Sequence, residues 1–309
     1  MIKNSLIIPI YGNESGIPHL IDELSSFNKK IDHLEAVFVV DGSPDESFSL
    51  LKELLPKSGI KTQLILLSKN FGSLAAVRTG LQKARGQNFA VMAADLQEPL
   101  ELIDTFFSKL SGGGCDVVYG IRNARSDPIF SKIFSNIFWF LYKKLIVPDM
   151  PIGGVDVFGC NNAFRQKVLE LNESNSSLLA IIFWLGFRRE GIGYERLPRL
   201  HGKSMWTFKK KMIYLKDSIF SFSNTPIILL TWAGIAGVFV AMTLGASIFY
   251  SYVNNQIDVP GYTTTVLVVV FFGGLNLFGL GIIGTYAWRT YENTKKRPHS
   301  VIMSLEEFD

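Results

Sequence analysis

The C-terminal third of the chain contains two long apolar stretches without a charged residue. No Asp, Glu, Lys or Arg occurs at positions 218–257 or 259–288, and Asp258 alone separates the two stretches. Because about 20 apolar residues cross the hydrocarbon core of a bilayer, each stretch is long enough to span a membrane. Two such runs would overfill the core of a soluble protein, so the pattern predicts transmembrane helices at 226–252 and 263–288.

The basic residues around these segments predict their orientation. The connecting loop at 253–262 has no Lys or Arg, whereas basic residues flank the outer ends of the pair, at Lys209, Lys210, Lys211, Lys216, Arg289, Lys295, Lys296 and Arg297. Membrane proteins carry their excess of Lys and Arg on the cytoplasmic side. We therefore expect an integral membrane protein with both termini in the cytoplasm and a cytoplasmic tail at 289–309.

The first two hundred residues alternate apolar runs of strand length with segments of helical periodicity, a pattern typical of an α/β domain. We expect this domain to occupy roughly residues 1–215. The predicted strands are 5–10, 36–40, 63–67, 89–93 and 116–120, and the predicted helices include 18–27 and 74–84.

Polar residues follow several of these strands at their carboxyl ends, where open parallel sheets bind ligands. Asp41 follows the second predicted strand, and Asp95 and Gln97 follow the fourth. Each aspartate alone is equally explained as a turn or helix-capping residue. Together they suggest an oxygen-ligand site for Mg²⁺ or Mn²⁺, which prefer carboxylate and amide oxygens.

Composition and motifs exclude several other classes of protein. Apolar residues make up 48% of the chain and charged residues 19%, which excludes disorder. Only two cysteines are present, so the chain has no disulfide framework. Neither G-x-G-x-x-G nor G-x-x-x-x-G-K-[ST] occurs where a dinucleotide or P-loop site would need it. The net charge of +4 reflects basic residues beside the apolar segments, so we expect no nucleic-acid partner.

Three strings occur in a fixed order ahead of the apolar segments: DGSPD at 41–45, SKNFG at 68–72 and ADLQEP at 94–99. This set resembles the family-2 inverting glycosyltransferases with a GT-A (Rossmann-like) fold. Within them it is similar to the polyprenyl-phosphate glycosyltransferases, the dolichyl-phosphate-mannose-synthase-like group, in their bacterial form with two transmembrane helices. The stretches 258–262 and 281–298 also resemble the membrane hairpin of that group, so the similarity covers nearly the whole chain.

The resemblance implies roles for residues on the donor side of the site. Pro9 and Tyr11 match positions that hold the nucleotide base, and Asp41 matches a contact to the base or ribose. Asp95 and Gln97 match the metal and diphosphate site.

Other matched residues are implied to act near the phosphates and the acceptor. Arg122 matches an arginine near the phosphates, and Asp156 matches an aspartate near the acceptor that is a candidate base. Arg196 and Arg199, together with Lys203 and Ser204, match a basic segment near the donor diphosphate and the acceptor phosphate. Arg125 is a further candidate substrate-binding residue.

The sequence departs from the family pattern at the metal site. Val40 replaces an acidic residue that often precedes Asp41, and Ala93 replaces the first aspartate of D-x-D-L-Q. One metal-site carboxylate is therefore missing, and the candidates to take its place are Gln97, Glu98 and water. An alternative hypothesis is a catalytically weakened, membrane-anchored protein that binds a nucleotide-sugar or serves in assembly.

The resemblance implies transfer of a sugar from a nucleotide-sugar to a polyprenyl (undecaprenyl) phosphate, at the cytoplasmic face of a bacterial inner membrane. UDP-glucose is the leading donor, and the lipid-linked sugar would serve modification of a cell-surface glycan. A processive polysaccharide synthase fits less well, because the chain has two spans and no Q-x-x-R-W motif. The segments 129–147 and 204–222 are predicted to be interfacial helices that contact lipid. Glycine-rich apolar helices also predict a homo-oligomer.

Overall fold

A computed structural model of the protein describes residues 2–31, 33–122, 142–143, 148, 151, 155, 157–171, 178–198, 208–254 and 261–309. The strands in this part of the chain are β1 (Asn4–Ile10), β2 (Leu34–Val40), β3 (Lys61–Leu67), β4 (Asn88–Val91), β5 (Val117–Arg122), β6 (Phe158–Asn161), β7 (Arg189–Tyr194) and β8 (Ile302–Phe308). The helices are α1 (Ile17–Asn28), α2 (Ser47–Leu54), α3 (Ser73–Lys83), α4 (Leu100–Ser111), α5 (Asn162–Glu170), α6 (Leu178–Trp184), α7 (Phe208–Phe222), α8 (Thr225–Val253) and α9 (Tyr262–Thr294).

The strands form one mixed sheet in the order β7-β5-β6-β4-β1-β2-β3-β8. Strands β1 to β4 run parallel to their neighbours within that group, and β5 runs parallel to β7. Strand β6 is antiparallel to both β4 and β5, and β8 is antiparallel to β3. The centre of the sheet therefore presents several carboxyl ends at one edge.

Helices cover both faces of the sheet, so its central strands are buried on both sides. Side chains of α1, α2 and α4 pack with Ile8 and Phe38 on one face. Side chains of α3, α5 and α6 pack with Ile7 and Val37 on the other face. Strand β2 is buried at every position, as expected for a parallel strand between two helical layers.

The five predicted strands and both predicted helices are confirmed as β1 to β5, α1 and α3, with ends shifted by a few residues. The fourth strand ends at Val91 rather than at residue 93, which leaves Ala93 in the loop that follows. The sequence pattern does not predict strands β6 and β7. These strands are short or rich in polar and glycine residues, so they lack a clear apolar run.

The segment expected to be a cytoplasmic tail returns to the sheet. Strand β8 pairs with β3 from Thr62 to Leu67 and becomes the edge strand. Ion pairs join the two parts of the chain, with Lys52 Nζ 2.7 Å from Glu306 Oε1 and with Arg85 paired to Glu307. The α/β domain therefore includes residues beyond 289 as well as the N-terminal region.

Helices α8 and α9 are both long and apolar enough to cross a membrane. A Cβ added to Gly237 would lie 3.0 Å from a ring carbon of Phe272, and one added to Gly279 would lie 3.0 Å from a methyl carbon of Leu230. Because these contacts pair the sequence positions in reverse order, the two helices pack antiparallel as a hairpin. Their apolar side chains are mostly exposed on the protein itself.

Helix α7 links the α/β domain to the hairpin and occupies most of the segment predicted at 204–222. Its Asp217 Oδ1 lies 2.7 Å from Arg289 Nη2 of α9, and Ser221 Oγ accepts a hydrogen bond from the same guanidinium at 2.8 Å. On the domain side, the Tyr142 hydroxyl donates to Ser218 Oγ at 3.2 Å. The other predicted interfacial segment, 129–147, lies outside the described residues apart from positions 142 and 143.

Candidate active site

The sheet opens between β1 and β4 at their carboxyl ends, where the strand order reverses direction. The Ile7 carbonyl still accepts a hydrogen bond from Met92 N at 3.2 Å, but β4 ends at Val91. The backbone nitrogen of Pro9, two residues after Ile7, is directed to the same side of β1. Because β4 has already ended there, the N–H that proline lacks would have had no partner strand. Ligands of open α/β sheets bind in such crevices.

The loops after β1 and β4 meet across this crevice. Asn13 Nδ2 donates to the Ala94 carbonyl oxygen at 3.1 Å, which ties the two loops together. Pro9 and Tyr11, the residues predicted to hold the nucleotide base, are both half-buried at the β1 end of the opening. Their location fits the predicted role, which stays a prediction.

Asp41 holds the loop that carries the SKNFG string. Its Oδ1 accepts a hydrogen bond from Phe71 N at 2.7 Å, and its Oδ2 accepts one from Gly72 N at 2.8 Å. Asp41 is only 4% exposed. Burial raises the pKa of its carboxyl group, and the two backbone hydrogen bonds oppose that rise. The geometry thus shows a loop-holding carboxylate, whereas the predicted contact to base or ribose remains a prediction.

Gly42 allows the close approach of these two loops. It has a φ of 55°, and a Cβ there would lie 2.2 Å from the carbonyl carbon of Lys69. Only glycine fits both the positive φ and the contact. The string DGSPD is therefore required by backbone packing as well as by any chemistry.

The rest of that string connects the β2 loop to the β1 loop. Ser43 Oγ accepts from Gly12 N at 2.8 Å and donates to Asp45 Oδ1 at 2.5 Å. Asp45 Oδ2 accepts from Glu14 N at 3.0 Å. Burial raises the pKa of Asp45, but the hydrogen bonds from Ser43, Ser47 and Glu14 together hold it below its usual value. Asp45 is thus a charged anchor of the turn.

The ADLQEP turn lies on the other side of the crevice. Ala93 is exposed and Asp95 is half-buried, so both are accessible from the opening. Leu96 has a φ of 52°, an uncommon conformation for a residue with a Cβ. Gln97 N donates to Asp95 Oδ1 at 3.4 Å, which helps to hold the carboxylate in the turn.

Gln97 joins this turn to the segment after β7. Arg196 Nη2 donates to Gln97 Oε1 at 2.6 Å. Leu197 N donates to the Gln97 carbonyl oxygen at 2.9 Å, and Gln97 Nε2 donates to the Leu197 carbonyl oxygen at 3.3 Å. The amide oxygen that was predicted to ligate a metal is therefore already a partner of an arginine.

A buried cluster lies beneath the turn. Glu98 is 2% exposed, and Arg122 and Tyr194 end β5 and β7 opposite each other in the register of those strands. Burial raises the pKa of Glu98, the negative charge of Asp95 raises it further, and Arg196 and Arg122 oppose the rise. Burial likewise raises the pKa of Tyr194. The sequence indicates Glu98 only as one candidate to replace the missing metal-site carboxylate, and it gives no signal for Tyr194.

The described part of the chain offers few side chains that could ligate a metal ion. No group of three or more His, Cys, Asp or Glu side chains within it forms a ready-made metal site. Of the two carboxylate positions in the family motif, Asp95 supplies one, and Ala93 occupies the other. One carboxylate is still compatible with Mg²⁺ or Mn²⁺, since such ions commonly combine one or two carboxylates with substrate phosphates and water.

Several predicted site residues lie outside the described residues, namely Arg125, Asp156, Arg199, Lys203 and Ser204. The chain neighbours of Asp156, Val155 and Val157, are both buried. Val157 precedes β6, and its carbonyl oxygen accepts from Gly120 N at 3.0 Å. Of the predicted residues that are described, Asp95, Gln97, Arg122 and Arg196 come together, while Pro9, Tyr11 and Asp41 lie along the adjoining β1 and β2 ends.

Known proteins are similar in sequence to this chain over most of its length. CsbB of Bacillus subtilis, which carries a glycosyltransferase name, is 32% identical over 96% of this chain and 90% of its own length. A prophage bactoprenol glucosyl transferase homolog of Escherichia coli is 28% identical over 99% of this chain and all of its own length.

Among solved structures, the mannosyltransferase PcManGT of Pyrobaculum calidifontis, in complex with GDP-Man and Mn²⁺, is similar at 15% identity. It covers 93% of this chain and 87% of its own, with a TM-score of 0.47. The glycosyl transferase family 2 matches residues 5–171, more than half of the chain. The chain therefore belongs to glycosyl transferase family 2, and it is a glycosyltransferase with a GT-A α/β fold and two apolar C-terminal helices.

Proposed function

We propose that the protein transfers glucose from UDP-glucose to undecaprenyl phosphate, with inversion at the anomeric carbon. The bactoprenol glucosyl transferases named among its full-length relatives support this acceptor and sugar. The observation that carries the proposal is the union of two features in one folded unit. A family-2 crevice with Asp95 at its edge shares its sheet with the strand that follows the apolar hairpin.

The chemistry needs positive charge more than a strong base. The nucleoside diphosphate leaves with increased negative charge, which guanidinium groups stabilise through charge-assisted hydrogen bonds. Arg122 and Arg196 both lie within electrostatic range of Glu98 at the edge of the site, and they are suited to that role. A lipid phosphate is already anionic at neutral pH. Asp156 would therefore position the acceptor rather than remove a difficult proton.

A divalent ion fits this scheme with Asp95 as its protein ligand. When bound, Mg²⁺ or Mn²⁺ neutralises negative charge on the diphosphate. Asp95 presents the carboxylate, and the turn around Leu96 and Gln97 holds it in place. Gln97 contributes by fixing Arg196, through the 2.6 Å hydrogen bond to its amide oxygen.

The apolar hairpin explains how the protein would reach a lipid acceptor. Undecaprenyl phosphate resides in the membrane with its phosphate at the surface. Helices α8 and α9 would anchor the catalytic domain in a bacterial inner membrane, with the domain and both termini in the cytoplasm. Helix α7, held to Arg289 of α9, would lie at the interface beside the acceptor headgroup.

Ala93 supports a second candidate, a nucleotide-sugar-binding protein with weakened turnover. The exposed alanine removes one carboxylate from the crevice, and Gln97 is engaged with Arg196. Such a protein would bind the donor without transferring the sugar.

A transfer assay with detergent-purified protein separates the two candidates. It would contain undecaprenyl phosphate, a labelled UDP-sugar and Mg²⁺, Mn²⁺ or EDTA, with label in the organic phase as the readout. We expect transfer from UDP-glucose that EDTA and Asp95→Asn abolish. Asp104→Asn is the matched control, because Asp104 is an exposed acid on α4 away from the crevice. Donor binding without any transfer would instead support the second candidate.

A further inference from the structure

Glu98 is a buried acid that the proposed chemistry does not use. It is 2% exposed, its carboxyl group accepts a hydrogen bond from the backbone N–H of Ala93, and its Oε2 has no hydrogen-bond partner among the described residues. A buried carboxylate is costly unless nearby groups stabilise its charge. The charge of Glu98, three residues after Asp95, therefore needs stabilisation by nearby groups. The surrounding elements supply two positively charged side chains.

The positive groups come from two other elements. Arg122 ends β5, and Arg196 follows β7, and both lie within electrostatic reach of Glu98. Arg196 is also bound to Gln97, the residue before Glu98. A further acid, Asp95, lies near the cluster but is half-exposed towards the crevice.

The burial of Glu98 distinguishes it from a metal ligand. Its side chain lies beneath the turn, where it lines a cavity of about 400 Å³ with Leu197, Pro198 and residues of α1 such as His19 and Glu23. A ligand for a hydrated ion must face the crevice, as Asp95 does. Glu98 instead shares its cavity with Leu197 and Pro198, which follow Arg196 in the chain.

We propose that Glu98 is a positioning residue, a buried counter-charge that holds Arg122 and Arg196 so that their guanidinium groups face the phosphates of the substrates. Without it, two like charges at one edge would repel each other. Guanidinium recognition of phosphate depends on orientation, since its donors form a rigid planar fork. This inference rests on the proposed function, because it assigns the phosphates of that reaction to the two arginines.

The test compares two buried glutamates. Glu35 is also 2% exposed and also has an arginine neighbour, Arg85. It lies on β2 near the opposite edge of the sheet and accepts hydrogen bonds from Ser5 and Gln63. Glu98→Gln and Glu35→Gln thus make the same chemical change, one beside the site and one remote from it.

We expect Glu98→Gln to weaken UDP binding about tenfold, and to raise the KM for undecaprenyl phosphate, without lowering the Tm. Glu98→Asp, which keeps the charge, should bind UDP with intermediate affinity. Glu35→Gln should lower the Tm and leave UDP binding unchanged. In an Arg196→Ala background the effect of Glu98→Gln should shrink, because coupled residues are non-additive.

The opposite pattern would overturn the inference. If Glu98→Gln lowers the Tm like Glu35→Gln but binds UDP as the wild type does, Glu98 is only part of the core. Fully additive losses with Arg196→Ala would also overturn it. The UDP-binding and Tm readouts do not depend on the acceptor assignment, since wild-type protein that binds UDP but transfers nothing to undecaprenyl phosphate refutes the proposed function alone.

Discussion

The carboxylate of Asp41 joins two loops of the site through both of its oxygen atoms. Asp41→Asn keeps one acceptor but places an amide N–H against a backbone N–H, at Phe71 or Gly72. We expect a loss of about 1–3 kcal/mol in the free energy of unfolding, the usual cost of an unsatisfied buried group. Urea denaturation should show a lower midpoint with an unchanged slope. An unchanged midpoint, equal to that of the exposed control Asp104→Asn, would contradict this role.

Ala93 tests the missing carboxylate directly. Because Ala93 is exposed two residues before Asp95, Ala93→Asp adds an acid to the crevice without overpacking the core. A second carboxylate strengthens binding of a divalent ion. We expect half-maximal transfer at a lower concentration of free Mn²⁺. Ala93→Asn controls for size, and equal metal dependence of the two variants would show that position 93 does not contact the ion.

The sequence predicts the members of the site better than their partners. Asp41 and Asp95 follow apolar strands, which indicates their edge of the sheet. Nothing near Asp41 in the sequence shows that its oxygens accept from Phe71 and Gly72, about thirty residues away. The sequence likewise predicts Gln97 as a metal ligand. It gives no sign of the hydrogen bond between Gln97 and Arg196, which are 99 residues apart. Such long-range hydrogen bonds depend on the positions of loops in the folded chain, and the pattern of apolar residues does not predict those positions.

Strand β8 is the element whose removal should reveal most about the fold. It covers the edge of β3 with backbone pairing and adds the ion pair between Lys52 and Glu306. Deletion of residues 298–309 would leave β3 as an exposed apolar edge. We expect a Tm lowered by several degrees and increased aggregation on heating.

The matched control for that deletion is Met303→Ser, since Met303 is 71% exposed on β8. It should leave the Tm near that of the wild type. A deletion that melts like the full chain would mean that β8 contributes nothing to stability.

At the level of elements, predictability follows the apolar runs. Strands β1 to β5 contain runs such as AVFVV of β2, which only a buried strand of that length explains. Strand β8 reads IMSLEEF, with Glu306 and Glu307 near its end, and it follows a basic segment. The basic residues that follow the second apolar segment predict a cytoplasmic tail and give no signal for a strand. The two glutamates give none either. They are compatible with a strand because an edge strand keeps one side in water.

Some glycines of the hairpin lie where its two helices contact each other, and others lie on its outer surface. Gly237 and Gly279 receive Phe272 and Leu230. Among the described residues, and apart from the adjoining backbone of the same helix, no atom lies within 4 Å of the position that a Cβ would take at Gly234, Gly273 or Gly274. These open positions would allow another helix to approach closely. Homo-oligomer formation therefore stays a prediction for which the exposed glycines provide a surface.

The whole chain must leave the α/β domain and return to it. Helix α7 packs on the domain before the hairpin, and β8 joins the sheet after it. Both outer ends of the hairpin therefore lie on the side of the catalytic domain. Since α8 has 29 residues and α9 has 33, each is long enough to cross the bilayer. We therefore predict that the loop between them lies on the far side of the membrane.

Cysteine labelling of intact cells tests this topology. The two native cysteines, Cys115 and Cys160, are buried and free, so the background should be low. Asn254→Cys lies exposed at the loop, and Lys296→Cys lies exposed beyond α9. A membrane-impermeant maleimide should label Asn254→Cys while the cytoplasmic membrane is intact, and Lys296→Cys only after it is opened. Labelling of both variants in intact cells would refute a cytoplasmic domain. Protection of both until the membrane is opened would mean that the hairpin enters the membrane without crossing it, because the return of β8 to the sheet forbids a single crossing.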